Sequence, residues 1–226
     1  MDIAHTFRHG AGALLACIPF AAGSAPAQSG EQIAKQGSAG GAPACVACHG
    51  ATGQGQAAAG FPRLAALDAG YMVKQLKGFD GPTRTSPIMT SVAKLLSAAD
   101  RQAVAGYYAS LAAADEGSRP VAVSPALAAG ETLAQRGDWS KGVPACAQCH
   151  GPNGLGVGAA FPQIAGQPAA YIANQLRAWQ QGTRQNDPLG LMRGVSIQLT
   201  ETDIGNVAAY YASLSATPVV LRSAKP

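Results

Sequence analysis

The chain has 226 residues, 47% of them hydrophobic, 6% aromatic and only 12% charged, which excludes a charge-rich disordered protein. That length suits one large domain or two small ones, and with so few aromatics two small cores would need a staple such as a metal, a cofactor or a disulfide. The formal charge of +4, from 16 basic and 12 acidic residues, is too small and too dispersed for a nucleic-acid-binding stripe.

The N-terminus reads as an export signal. Arg8 precedes an apolar stretch from Ala11 to Ala22, and Ala25-Pro26-Ala27 has the small-x-small pattern of a cleavage site. The apolar stretch is well short of the roughly 20 residues that span a bilayer. Residues 1–27 are therefore assigned as a signal peptide, with Gln28 opening the mature chain. Cys17, His5 and His9 leave with the signal. No later apolar run is long enough to span a membrane, so a soluble, exported, periplasmic protein is expected, and peripheral membrane association stays open.

Cys45-Val-Ala-Cys48-His49 follows. Farther on, Asp68 opens a helical pattern with Met72, Leu76 and Phe79 on one face. Ser97-x-x-Asp100 resembles a helix cap, and Val104, Tyr107, Tyr108 and Leu111 continue at helical spacing. Residues 113–124, rich in Gly, Ser, Pro and acidic side chains, read as a linker. Ser124-Pro125 caps a helix reaching about Arg136. Cys146-Ala-Gln-Cys149-His150 comes next. A helix with Pro168 in its first turn carries Ile172, Leu176 and Trp179, and Thr200-x-x-Asp203 opens the last helix, with Ile204, Val207, Tyr211 and Leu214. No strand pattern is convincing, and the expected class is all-α.

The chain repeats itself. Phe61-Pro62 matches Phe161-Pro162, Tyr71 matches Tyr171, Gln75-Leu76 matches Gln175-Leu176, and Thr83-Arg84 matches Thr183-Arg184. After a three-residue insertion, Tyr107–Leu111 matches Tyr210–Leu214. The period is too long for a solenoid and indicates a tandem duplication, with domains at residues 28–112 and 125–226.

Every cysteine and histidine expected in the mature chain lies in one of the two Cys-x-x-Cys-His pentapeptides. This motif attaches a c-type haem. Two thiols three positions apart on one helical turn face the same way and can form thioethers to two vinyl groups, while the adjacent histidine reaches the iron. A thioredoxin-like site would need a βαβ context. A zinc site would not require a histidine after each pair. A disulfide across so short a loop would be a poor staple. Two covalent haems are expected, held by Cys45, Cys48, Cys146 and Cys149, with His49 and His150 as proximal ligands.

The sixth ligands follow from counting. No histidine remains, and methionine is the next usual choice. Met72 aligns with Ile172 and reads as core. Met89 and Met192 align across the insertion and follow Pro87 and Pro188 in proline-stiffened loops, with no helix needed behind them. They are assigned as ligands of the first and second iron. The carbonyls of Pro62 and Pro162 are candidates to orient the histidines. Arg84 and Arg184 are either partners of haem propionates or solvated surface charges.

Taken together, Cys-x-x-Cys-His-Gly at 45–50 and 146–151, Gly60-Phe-Pro-Arg-Leu64, Tyr71-Met-Val-Lys-Gln-Leu76, Pro87-Ile-Met89 and the paired Tyr-Tyr-Ala-Ser-Leu helix ends resemble the diheme cytochrome c4 family of bacterial periplasmic electron carriers. The resemblance covers nearly the whole mature chain. It implies two class I cytochrome c domains with haem edges close together, and a carrier between a quinol-oxidising complex and a terminal oxidase. A dedicated electron-accepting subunit of a periplasmic dehydrogenase would have the same haem chemistry and is the alternative. A diheme peroxidase or thiosulfate-oxidising enzyme is disfavoured, because two ligands per iron leave no open position and no spare histidine serves as acid–base group.

Overall fold

The computed structural model describes residue 1 and residues 27–113 and 124–217. The expected signal peptide and most of the expected linker lie outside these residues. Ten α-helices run through the described residues, with three short 3-10 turns and no strand beyond isolated bridges. The first half holds α1 (Gly30–Gln36), α2 (Val46–His49), α3 (Ala69–Asp80), α4 (Met89–Lys94) and α5 (Ala98–Ser110). The second half repeats the order with α6 (Pro125–Arg136), α7 (Cys146–His150), α8 (Ala169–Gln181), α9 (Leu191–Ser196) and α10 (Glu201–Ser213).

The caps read from sequence start helices where expected. Ser97 and Asp100 form a reciprocal capping box on α5, and Thr200 and Asp203 form one on α10. Asp68 accepts from the Tyr71 amide at the start of α3. Ser124 caps α6 with Pro125 in the first turn. Pro168, expected inside the first turn of α8, sits at its N-cap instead. Helix α1 has a Ser29–Gln32 capping box that the sequence reading missed, because the segment is short and directly follows the expected export signal.

Each half closes by crossing its first helix over its last. Helix α1 packs on α5, and α6 packs on α10. Glycine permits the close approach: a Cβ on Gly30 would lie 2.0 Å from the Ala103 carbonyl oxygen, and one on Gly130 would lie 2.2 Å from that of Asn206. Ile33, Met72, Val104 and Tyr108 fill the first core; Leu133, Ile172, Ile204 and Tyr211 fill the second.

The halves meet through their matched segments. Thr83–Thr85 pairs antiparallel with Thr183–Gln185, through Thr85 N–H to the Thr183 carbonyl (2.9 Å) and Gln185 N–H to the Thr83 carbonyl (2.6 Å). A second contact breaks the repeat symmetry. The Gln167 side chain accepts from Arg63 N–H (3.1 Å) and donates to the Arg63 carbonyl (2.9 Å). Arg63 Nη2 donates to the Ala165 carbonyl at 3.0 Å. In the repeat, Leu67 and Gln163 stand at the positions of Gln167 and Arg63.

Candidate functional site

Each pentapeptide folds as one short helical turn. Cys45 is the N-cap of α2, and His49 N–H bonds its carbonyl at 2.9 Å. This places both thiols and the imidazole at one cavity, lined also by Met72 and Met89. In the second half Cys146, Cys149, His150 and Met192 line the corresponding cavity. All four cysteines are half-buried and unpaired. Gly50 and Gly151 end the turns at φ 84° and 75°, a region that favours glycine.

The histidines are buried and oriented. His49 Nδ1–H donates to the Pro62 carbonyl at 2.9 Å, and His150 Nδ1–H donates to the Pro162 carbonyl at 2.8 Å. These are the carbonyls expected from the repeat. Burial lowers the pKa of both imidazoles, so each is neutral with its Nε2 lone pair available. A carbonyl behind the ring fixes its orientation and raises its basicity as a ligand.

The methionine segments differ from expectation in one respect. Each carries a short helix: Met89 is the first residue of α4 and Met192 the second of α9. Periodicity over six residues is too brief to reveal such helices in sequence. Met72 is 6% exposed and packs with Ile33, Leu67 and Val104, although it borders the same cavity as Met89.

Arg84 and Arg184 are only 4% and 7% exposed, so they are not solvated surface charges. Arg84 donates to Gln75 (2.8 Å), Gln175 (2.6 Å) and the Tyr171 hydroxyl (3.0 Å). Arg184 donates to Gln175 (2.9 Å), Gln75 (3.0 Å), Asn186 (3.2 Å) and the Tyr71 hydroxyl (3.2 Å). Their guanidinium carbons stack over Phe79 and Trp179 at 4.2 and 4.5 Å from the ring centroids. Burial lowers the Arg184 pKa, and the neighbouring Arg84 charge lowers it further. Among the described residues no carboxylate pairs with either arginine. Arg84 borders the first cavity and Arg184 borders both; two buried cations without ion-pair partners among the described residues fit an anionic group such as a propionate.

The cross-connections were hidden in the sequence. Tyr71, Gln75, Tyr171 and Gln175 are visible as repeat matches, but nothing local signals that each pair joins a network spanning both halves. Each cavity also borders the other half: Tyr171 and Gln175 line the first, and Tyr71 and Gln75 line the second. Tyr108 and Tyr211 place buried hydroxyls without a partner beside Cys45 and Cys146. The residues present therefore fit a covalently held haem in each half: thiols and a neutral imidazole on one turn, a methionine at the same cavity, and uncompensated cations at its border.

This fold and donor set define a c-type cytochrome. The family model for cytochrome c matches residues 127–215. The chain is 46% identical over 184 residues to the "Thiosulfate dehydrogenase electron acceptor" of Thiomonas intermedia (strain K12), covering 81% of this chain and 84% of that protein. The structure of reduced recombinant cytochrome c4 from Pseudomonas stutzeri aligns at a TM-score of 0.68 and 36% identity, over 75% of this chain and 93% of that one. Thiosulfate dehydrogenase (TsdBA) from Marichromatium purpuratum aligns at 0.76 and 41%, over 83% of this chain but only 40% of that longer one. The chain belongs to the cytochrome c4 family and is a diheme electron-transfer protein with covalently bound haem c.

Proposed function

We propose that this chain is the dedicated electron acceptor of a periplasmic thiosulfate dehydrogenase, and is not itself an enzyme. The observation that carries the reading is its similarity to acceptor proteins of that name at 46% and 45% identity, over 84% and 88% of their lengths, against 34–38% for the cytochromes c4. An aligned region amounting to 40% of the TsdBA chain supports the same partnership.

In this reading residues 28–112 and 125–226 are the two domains, joined by 113–124 and exported behind the signal at 1–27. Cys45 and Cys48 bind the first haem and Cys146 and Cys149 the second. His49 and Met89 would ligate the first iron, and His150 and Met192 the second. Each haem supplies a one-electron ferrous–ferric couple. The protein's own residues keep that couple reversible. Pro62 and Pro162 hold the imidazoles in place, Met89 and Met192 would supply the second ligands, and Arg84 and Arg184 would offset propionate charge. Two ligands per iron leave no coordination position for substrate. Arg84, Arg184, Tyr71 and Tyr171 form a polar border between the two cavities, across which the bound haems would exchange an electron.

The test is reduction of the purified, fully haem-loaded protein by thiosulfate. The protein alone should stay oxidised, and a catalytic amount of a thiosulfate dehydrogenase should reduce both haems. Rapid reduction by thiosulfate without the dehydrogenase would make the chain an enzyme. Reduction by a quinol-oxidising complex but not by the dehydrogenase would make it a general carrier. Haem should resist acid–acetone extraction, and the mass should exceed that of the chain from Gln28 by two haems.

A further inference from the structure

Two buried hydroxyls take no part in holding the irons. Tyr108 and Tyr211 occupy matching positions in α5 and α10, are 2% and 1% exposed, and line the first and second cavities. Neither hydroxyl has a hydrogen-bond partner among the described residues. Leaving a buried donor unpaired costs stability, and phenylalanine would fill the same space without that penalty. The chain carries the penalty twice, at the same place in both halves.

The rings are held where they are. Each lies edge-on to the preceding tyrosine, with centroids 5.2 and 5.3 Å apart. The Tyr108 carbonyl accepts from the Ala66 amide at 3.0 Å, and the Tyr211 carbonyl from the Gly166 amide at 2.9 Å. The turn after each pentapeptide closes on the ring: a Cβ on Gly53 would lie 2.7 Å from Tyr108, and one on Gly154 would lie 2.6 Å from Tyr211. Beside each hydroxyl is the sulfur of the first cysteine of its pentapeptide, Cys45 or Cys146, which packs on the same core. Burial raises the pKa of both phenols, so each stays protonated and can donate.

We propose that Tyr108 and Tyr211 are positioning residues whose hydroxyls donate to the sulfur of the first thioether in their own half, at Cys45 and Cys146, pinning that edge of each haem to the last helix of its domain. A thioether sulfur keeps its lone pairs after attachment and accepts a hydrogen bond weakly. The O–H turns its positive end toward the porphyrin edge, which favours the ferrous state of its own haem. The inference rests on thioether attachment at both pentapeptides.

The experiment uses the reduced, haem-loaded protein. By NMR, each phenol proton should exchange slowly with water and show cross-peaks to the β protons of its cysteine. Tyr108→Phe keeps the ring and removes the donor. In a potentiometric titration at the wild-type midpoint, it should lower the ferrous-to-ferric ratio of the first haem by about twofold and leave the second unchanged. Tyr211→Phe should do the reverse, and Tyr107→Phe, one residue away, should move neither. Tyr108→Phe and Tyr211→Phe should each unfold more easily in guanidinium, whereas removing a hydroxyl that stays unpaired would stabilise the protein. Absent cross-peaks or unchanged ratios overturn the proposal, and so does stability kept or gained. The mass of the parent protein separates the two levels: a gain of fewer than two haems means that the attachment reading itself has failed.

Discussion

Replacing Gln167 by leucine, the residue at the matching position in the first half, should loosen the two halves. Gln167 is 4% exposed, and its amide makes both hydrogen bonds to the Arg63 backbone, at 3.1 and 2.9 Å. Leucine fills a similar volume but satisfies neither group. Each buried polar group left unpaired costs ~1–3 kcal/mol, hence ~2–6 kcal/mol for two. Burying the leucine side chain returns roughly 2 kcal/mol, leaving a net cost of about 2 kcal/mol. Arg63 cannot compensate. Its guanidinium is already committed to the Ala65 and Ala165 carbonyls, and burial has pushed its pKa down to about 10. Guanidinium unfolding of the haem-loaded protein, followed by circular dichroism, measures the loss. The same variant should also reduce the electrostatic interaction between the haems in a stepwise redox titration. A change in unfolding free energy below about 0.5 kcal/mol would refute the reasoning, because it would show that water or a rearranged backbone satisfies Arg63 at no cost.

Three further outcomes are expected. Met89→Ala should remove one of the two sulfur-to-iron charge-transfer bands, whereas Met72→Leu should keep both and cost under ~1.5 kcal/mol, as volume-conserving core changes do; loss of a band in Met72→Leu would reverse the assignment. Gly130→Ala should lower stability by about 3 kcal/mol in thermal melts, since its Cβ meets the Asn206 carbonyl at 2.2 Å, while Gly205→Ala, whose Cβ meets nothing within 4 Å, should gain up to ~1 kcal/mol. Burial opposes ionisation of Asp203, but hydrogen bonds from Thr200 and Lys141 outweigh it and hold the carboxyl below its ordinary value of 3.8. That stabilisation is present above the ordinary value and is lost as pH falls through the folded one. Asp203→Asn should therefore melt lower than the parent at pH 7, with the difference closing on acidification; an equal difference in strong acid would contradict it.

Much of the chemistry was legible in the sequence because it is local. A Cys-x-x-Cys-His turn needs no distant residue to bring its thiols and imidazole together. Ser97, Ser124 and Thr200 announce helix starts through bonds spanning only three residues. The repeat extended this reach by pairing Pro62 with Pro162 and Met89 with Met192, and by setting Met72 against an isoleucine. The short helices α4 and α9 escaped detection because six residues form a helix in water only when tertiary packing supports them. Arg84 and Arg184 show the limit most clearly. Each sits in a Thr-Arg pair that looks like surface, and only the antiparallel meeting of the halves buries both side chains against Phe79 and Trp179. Likewise, nothing near Asp187 in sequence says that its carboxylate will hold the Met192 amide, or that Asn186 will reach Gln75, 111 residues away. Those contacts depend on where two independently capped sets of helices come to rest against each other, and burial at that boundary decides which polar groups must find partners.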